Sequence, residues 1–300
     1  MSHRRAVLLM LLITLLWSTA GVVSRHLEAA RSFEVTFWRS GFNALALLLA
    51  LGLMRGRALW GQVLRAPRKV WASALCWAVM YTAFMLALTM TSVANVLVTM
   101  SLGPLLTALF ARLFLQHRLP ARTWAAILLG SAGIAWMFGH GLQAGLASLA
   151  GMGVALGVPL AAATNWTLLQ HDSKQKDADE RSDMLLAVLL GALISAACTL
   201  PLAWPLVASP HDLTLLAGLG VFQLALPCLL VVRLARVLSG PELALLGLLE
   251  VIFGVLWAWL GAGEAPSSAA LVGGAMVLAA LAGNELLGWR ERPSATPLTH

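Results

Sequence analysis

Charged side chains are scarce in this chain. They make up 11% of its 300 residues, against about 25% in an ordinary soluble domain, and that shortage excludes a large hydrated surface and a separate soluble domain. Tyrosine occurs once, as Tyr81, and cysteine three times, as Cys76, Cys198 and Cys228. Three is odd, none has metal-ligand spacing, and all sit in apolar runs. They are expected to be small packing residues rather than disulfide or metal partners. The seven histidines (His3, His26, His117, His140, His171, His211 and His300) lie in loops, at the termini or at helix ends. A membrane-embedded enzyme would need clustered nucleophiles, metal ligands or a base, and a channel would need a filter or a ring of charge; neither pattern is visible. The phosphate-cradling GxxxxGK[ST] loop is missing too, so ATP-driven transport is not encoded here. No catalytic residue, metal or cofactor is expected. Basic residues outnumber acidic ones by 20 to 13, yet they sit in short loops beside helix ends rather than in a phosphate-binding stripe, so nucleic acid is not an expected partner.

What the chain has instead is length of apolar sequence. Ten runs, Ala6–Val23, Phe33–Leu53, Trp71–Met90, Val93–Leu115, Arg122–Phe138, Gly151–Leu169, Asp183–Leu200, Leu213–Val232, Pro241–Leu260 and Ala269–Leu287, are each long enough as helices to cross ~30 Å of hydrocarbon at ~1.5 Å per residue. The expected fold is an all-α integral membrane protein of ten transmembrane helices, in contact with the lipid bilayer and read as a monomer. The first run follows Arg4 and Arg5 in the manner of a signal peptide but has no small-x-small cleavage site, so it is read as a retained helix. Lys and Arg fall unevenly between alternate loops. Seventeen of the 20 share the side of the N-terminus, and only Arg25, Arg31 and Arg39 lie opposite. The positive-inside rule then places both termini in the cytoplasm.

The ten helices read as two copies of five. Trp17–Arg25 (WSTAGVVSR) aligns with Trp166–Lys174 (WTLLQHDSK) at an offset of 149, sharing Trp, Ser and a terminal base. Ser92–His117 aligns with Ser239–Glu264 at an offset of 147, with Leu109/Leu256, Ala111/Ala258 and Leu113/Leu260 identical. Five crossings per copy make the repeat inverted, an arrangement common in secondary transporters, with the substrate at the midplane between the copies. The expected units are residues 1–145 and 146–300, one membrane domain in all, joined by a solvated cytoplasmic linker at His171–Asp183.

LLWSTAGVVSR at 15–25, FWRSG at 37–41, SLGPLLTALFARLFL at 101–115 and LLEVIFGVLWAWLGAGEAPSSAALVGG at 248–274 resemble the signatures of the drug/metabolite transporter superfamily, in its ten-helix EamA-type branch. Glu250, Glu264 and Gly273 fall where that family has them, whereas Val251 replaces a usual proline and His117 a usual glutamate. MYTAFMLALTMTS at 80–92 is similar to bacterial amino-acid exporters, including the YddG-type aromatic ones, although MSLGP stands where an aromatic-rich segment is associated with the latter. The resemblance implies a bacterial inner-membrane exporter of small metabolites, most simply amino acids, working by alternating access. It also implies a central cavity lined by helices 1, 3, 4, 6, 8 and 9. Multidrug or other metabolite export is the alternative on the same fold.

Polar groups at membrane depth are costly and usually face the bundle interior. The candidate substrate-binding set is Trp17, Ser18, Trp77, Tyr81, Ser101, Pro104, Asn165, Trp166, Gln223 and Glu250. Glu250 is open to two readings, a proton-coupling or substrate-ammonium contact and a structural hydrogen bond to a neighbouring helix. Pro104 and Pro227 either break their helices and free carbonyls for a ligand or are packed kinks, and the second reading is favoured. Among the 12 tryptophans, Trp60, Trp71, Trp124 and Trp289 fit an interfacial belt, and Trp257 and Trp259 are expected to face lipid. Arg39 is open to two readings, pairing with Glu34 or Glu28, which is favoured, or attraction of anionic substrates. GMGVALG at 151–157 is read as a helix-packing motif. So sparsely charged an interior disfavours strongly anionic substrates such as nucleotide sugars and fits zwitterionic or amphipathic ones.

Overall fold

Ten helices long and apolar enough to cross a membrane make up the computed structural model, which describes residues 1–24, 26–30, 32–91, 93–139, 146–173, 183–262 and 266–290. No strand occurs among the described residues, as expected where no water is available to satisfy backbone N–H and C=O groups. The spans are His3–Ser24, Phe33–Arg55, Arg68–Ala87, Asn95–Leu115, Ala121–Gly139, Leu149–Ser173, Met184–Ala203, Pro210–Leu234, Gly240–Gly261 and Ser268–Leu287, numbered here helix 1 to helix 10. The protein is a multi-pass membrane protein. His140, most of the linker (174–182, with Lys174, Lys176 and Arg181), Glu264, Arg292 and His300 lie outside the described residues.

Local chemistry sets the helix ends. Ser209 and Asp212 form a capping box before helix 8, and Ser239 and Glu242 form another before helix 9, each with proline in the first turn. Gln116 adopts φ 50°, a left-handed conformation that ends helix 4. Between helices 2 and 3, the short helix Ala58–Leu64 buries Leu59 and leaves Trp60 and Leu64 exposed, as an interfacial segment does.

Four spans are not regular. Helix 4 is interrupted at Ser101–Leu102, between Val93–Met100 and Gly103–Leu115. Helix 9 is interrupted at Leu248, between Gly240–Gly247 and Leu249–Ala262. Helix 8 widens into a π-helix over Leu219–Ala225, just before Pro227. Helix 1 also pauses, at Ser18.

Helix 5 packs on helix 10, helix 2 on helices 7 and 8, helix 3 on helices 6 and 7, helix 4 on helices 6 and 9, and helix 1 on helices 8 and 9. Helices 5 and 10 cross backbone to backbone. A Cβ on Gly133 would sit 2.7 Å from the Gly273 carbonyl oxygen, and one on Gly273 would collide with the Gly133 carbonyl in turn. Farther along, Thr123 Oγ1 donates to Asn284 Oδ1 at 2.9 Å in buried surroundings.

The two ends of the bundle are tied by different groups. At one end, His3 meets Glu242 at 3.4 Å, Arg55 pairs with Asp183, and the Gln170 side chain accepts from Gly240 N at 3.0 Å while reaching His117 at 3.4 Å. At the other end two buried carboxylates each hold the opposite loop. Asp212 accepts from the backbone N–H groups of Glu28, Ala29 and Ala30 at 2.8–2.9 Å. Glu34 accepts from Val207 and Ala208 at 2.9 and 2.7 Å, and from Trp38 Nε1 at 3.3 Å. The expected pairing of Arg39 with Glu34 or Glu28 is therefore not what forms. Glu34 is occupied by backbone N–H groups, and Glu28 lies beside His211.

Cys76 and Cys228 are buried, as expected of packing residues, but Cys198 is on an exposed face of helix 7.

Candidate functional site

A polar cluster lies inside the bundle, and it is assembled from helices 1, 2, 3, 8 and 9. Helix 2 contributes Arg39 and Asn43, one turn apart and both buried. Their approach to helix 8 is close. A Cβ on Gly220, at the start of the π segment, would stand 2.5 Å from Phe42 Cβ and 2.9 Å from both Arg39 O and Asn43 N, so only glycine permits this spacing. A single π turn shifts the register of the residues that follow it, and such turns are frequent at functional sites. Here the π segment carries Gln223, whose Nε2 donates to Trp17 O at 3.2 Å. That carbonyl lies at the pause in helix 1.

Arg39 makes one long hydrogen bond, from an Nη to Tyr81 O at 3.5 Å. Tyr81 donates its hydroxyl proton to Cys228 Sγ at 3.3 Å, and Trp17 sits against the same sulfur. Glu250, just beyond the interruption in helix 9, is within electrostatic reach of Arg39, yet it accepts no hydrogen bond from the described residues and forms no direct ion pair. Among the described residues several buried atoms make no hydrogen bond of normal geometry: Arg39 Nε, Gln223 Oε1, Trp77 Nε1, Asn165 Nδ2 and both amide atoms of Asn43, which lies beside the Tyr81 hydroxyl. Leaving such groups unpaired costs about 1–3 kcal/mol each. Their concentration within one bundle asks for an explanation, since buried polar groups are ordinarily paired.

Aromatic rings lead from this cluster toward the end tied by Gln170. Tyr81 stacks on Trp77 with centroids 5.7 Å apart, and Trp77 meets Trp166 edge-on at 5.8 Å. Asn165, next to Trp166, accepts from Ser73 Oγ at 2.6 Å. The structure thus links Trp17, Trp77, Tyr81, Asn165, Trp166 and Gln223 through contacts or neighbouring positions, whereas Glu250 makes no hydrogen bond or ion pair with them among the described residues. Ser18 joins them at the edge, accepting from Trp257 Nε1 at 3.1 Å. Trp257 accordingly points inward rather than to lipid, because its indole N–H needs an acceptor that hydrocarbon lacks; Trp259 is the exposed one.

Ser101 and Pro104 are buried elsewhere, at the interruption of helix 4. Ser101 Oγ donates to Val98 O at 2.7 Å, and the Ser101 carbonyl accepts from Ser131 Oγ of helix 5 at 2.7 Å. No described contact joins them to Glu250. Sequence reasoning passed over Arg39 as a site residue and did not include Asn43 or Cys228. The signal for the first two was present as a polar i, i+4 pair inside an apolar run.

The arrangement is that of a polytopic helical bundle with a polar interior. Residues 4–139 match the model of the EamA-like transporter family, a match that points to a membrane transporter. No curated protein matches the chain. A solved crystal structure of a protein is similar over 97% of this chain and 100% of its own, with a TM-score of 0.81 at 21% identity; at that identity the likeness is one of fold.

Proposed function

We propose that this protein is a secondary transporter that carries small metabolites across the bacterial inner membrane by alternating access, exporting amino acids, aromatic ones among them, or related amphipathic compounds. The observation that carries this reading is the concentration of unpartnered buried polar atoms on Arg39, Asn43, Trp77, Asn165 and Gln223 within ten apolar spans. A structural network would pair these groups with one another; a ligand site leaves them for its ligand. Two features support the cycle. The interruptions of helices 4 and 9 fall at Ser101–Leu102 and Leu248, within a residue or so of the 147-residue repeat offset, and discontinuous helices at a repeat interface are characteristic of secondary transporters. The packing pairs also map onto themselves when each helix is exchanged for its counterpart five along, as two inverted units over residues 1–145 and 146–300 require. The aromatic run Tyr81–Trp77–Trp166 favours one alternative on the same fold, export of amphipathic drugs.

Counterflow in proteoliposomes tests the reading. Vesicles preloaded with unlabelled amino acids should accumulate the same labelled compound transiently, with a saturable rate. Equilibration without overshoot for every amino acid and amphipathic compound tried would remove the carrier reading.

A further inference from the structure

The geometry points to Arg39 and Glu250 as the two poles of a receptor for one zwitterion: Arg39 takes a substrate carboxylate and Glu250 the ammonium group of the same small amino acid. This rests on the transporter reading and assigns its substrate chemistry.

Four observations carry it. Arg39 is buried, and its guanidinium, with five N–H donors in a fork suited to a carboxylate, spends itself on a single 3.5 Å bond to Tyr81 O while Nε has no partner. Asn43, one turn away on the same helix, is fully buried beside the Tyr81 hydroxyl with neither amide atom in a hydrogen bond of normal geometry among the described residues, so it keeps capacity to donate to or accept from a bound polar group. Glu250 accepts nothing from the described residues. On its own helix the positions at i−3 and i+4 are Gly247 and Gly254, and a Cβ at either would meet nothing within 4 Å. The face of helix 9 that carries the carboxylate is therefore open for a turn on each side.

Opposite charges that share an apolar bundle ordinarily close into an ion pair, because each one left alone carries a desolvation penalty. Arg39 and Glu250 feel each other's field without touching. A ligand holding a carboxylate and an ammonium a few bonds apart neutralises both. A simple acid answers Arg39 but sets its charge against Glu250, and a simple amine does the reverse. Trp17 and Tyr81 border the cluster and offer flat apolar area to a side chain.

The test uses the full-length protein in detergent with three probes sharing one side chain: phenylalanine, phenethylamine and 3-phenylpropionate. Ligand-induced thermal stabilisation should require on the order of tenfold less phenylalanine than either singly charged analogue. In R39Q, phenylalanine should fall to the level of phenethylamine, and in E250Q to that of 3-phenylpropionate. Should R39Q fail to fold, R39K keeps the charge and should retain a preference for the carboxylate-bearing probes. Stabilisation by either analogue at the concentrations that suffice for phenylalanine overturns the proposal, as does stabilisation by none of the three. Counterflow separates the two failures: saturable exchange of a singly charged compound with no zwitterion preference removes the two-pole receptor and leaves a transporter, whereas no exchange of any compound removes both.

Discussion

Trp77 concentrates the question of what a buried polar group is for. Its ring is held by Tyr81 on one side and Trp166 on the other, yet its Nε1 has no acceptor among the described residues. Were Trp77 only a packing residue, phenylalanine would be nearly as good, because the loss of ring volume is offset by removing an unpaired donor worth about 1–3 kcal/mol. We expect Trp77→Phe to unfold within about 1 kcal/mol of the parent, whereas Trp77→Ala should lose about 3–5 kcal/mol to the cavity it leaves. If the N–H serves a ligand, counterflow by the phenylalanine variant should nonetheless drop several-fold; unchanged kinetics would make Trp77 a wall without a contact. At this scale the sequence was informative about type and depth but not direction. Tyr81, Trp166 and Glu250 stood out as polar or aromatic groups inside apolar runs. Trp257 stood out equally and was assigned to lipid, because its acceptor, Ser18, lies 239 positions away in the chain. Arg39 was assigned to nearby glutamates because proximity in sequence was the only proximity visible.

Among elements, the loops at one end behave as a mutual clasp. Helix 2 brings Glu34 to the loop before helix 8, and the start of helix 8 brings Asp212 to the loop before helix 2. Carboxylates receiving backbone N–H groups make charge-assisted bonds, stronger than those between neutral groups. Asp212→Asn and Glu34→Gln keep the shape and remove the charge, and each should lower the thermal midpoint by several degrees. Because both carboxylates secure the same pair of loops, the double variant should lose less than the sum of the two. Strict additivity in a double-mutant cycle would show that the loops open independently. The sequence displayed the caps themselves, with Ser209 and Asp212 three apart ahead of an apolar run. The second task of Asp212 depends on a loop 184 residues away. The interruption of helix 4 was legible through Pro104, whereas that of helix 9 was not, since Val251 stands where a proline would have announced it.

For the whole molecule the strongest inference from sequence is sidedness, and the bundle's geometry agrees with its parity. The N-terminal segment and the loops after helices 2, 4, 6 and 8 meet at one end through His3–Glu242, Arg55–Asp183 and Gln170, while the loops after helices 1 and 7 meet at the other. With 17 of 20 basic residues on the first side, that side is expected to face the cytoplasm. The exposed Cys198 is replaced first. A cysteine at His211 should then react with an impermeant maleimide on intact cells, and one at Arg118 only after permeabilisation. The opposite result would invert the orientation and the direction of the proposed export. The apolar pattern sufficed for ten spans and their order because a bilayer enforces length and polarity so strictly. Which helices touch was legible only through the repeat.

Helix 5 touches both interrupted spans from consecutive residues. Ser131 donates to the carbonyl at the break in helix 4, and Gly130 leaves room for Leu248 at the break in helix 9, where a Cβ would come within 2.9 Å of Leu248 Cδ1. Two residues farther along the same helix, Gly133 locks against Gly273 of helix 10. A lever needs a fulcrum that does not yield, and this pair of helices has no slack at its crossing. In the proposed transport cycle, half-helices swinging about Ser101 and Leu248 would share one bearing, so a displacement of either would be felt at the same point on helix 5, and the two ends of the bundle would move as the arms of a single beam.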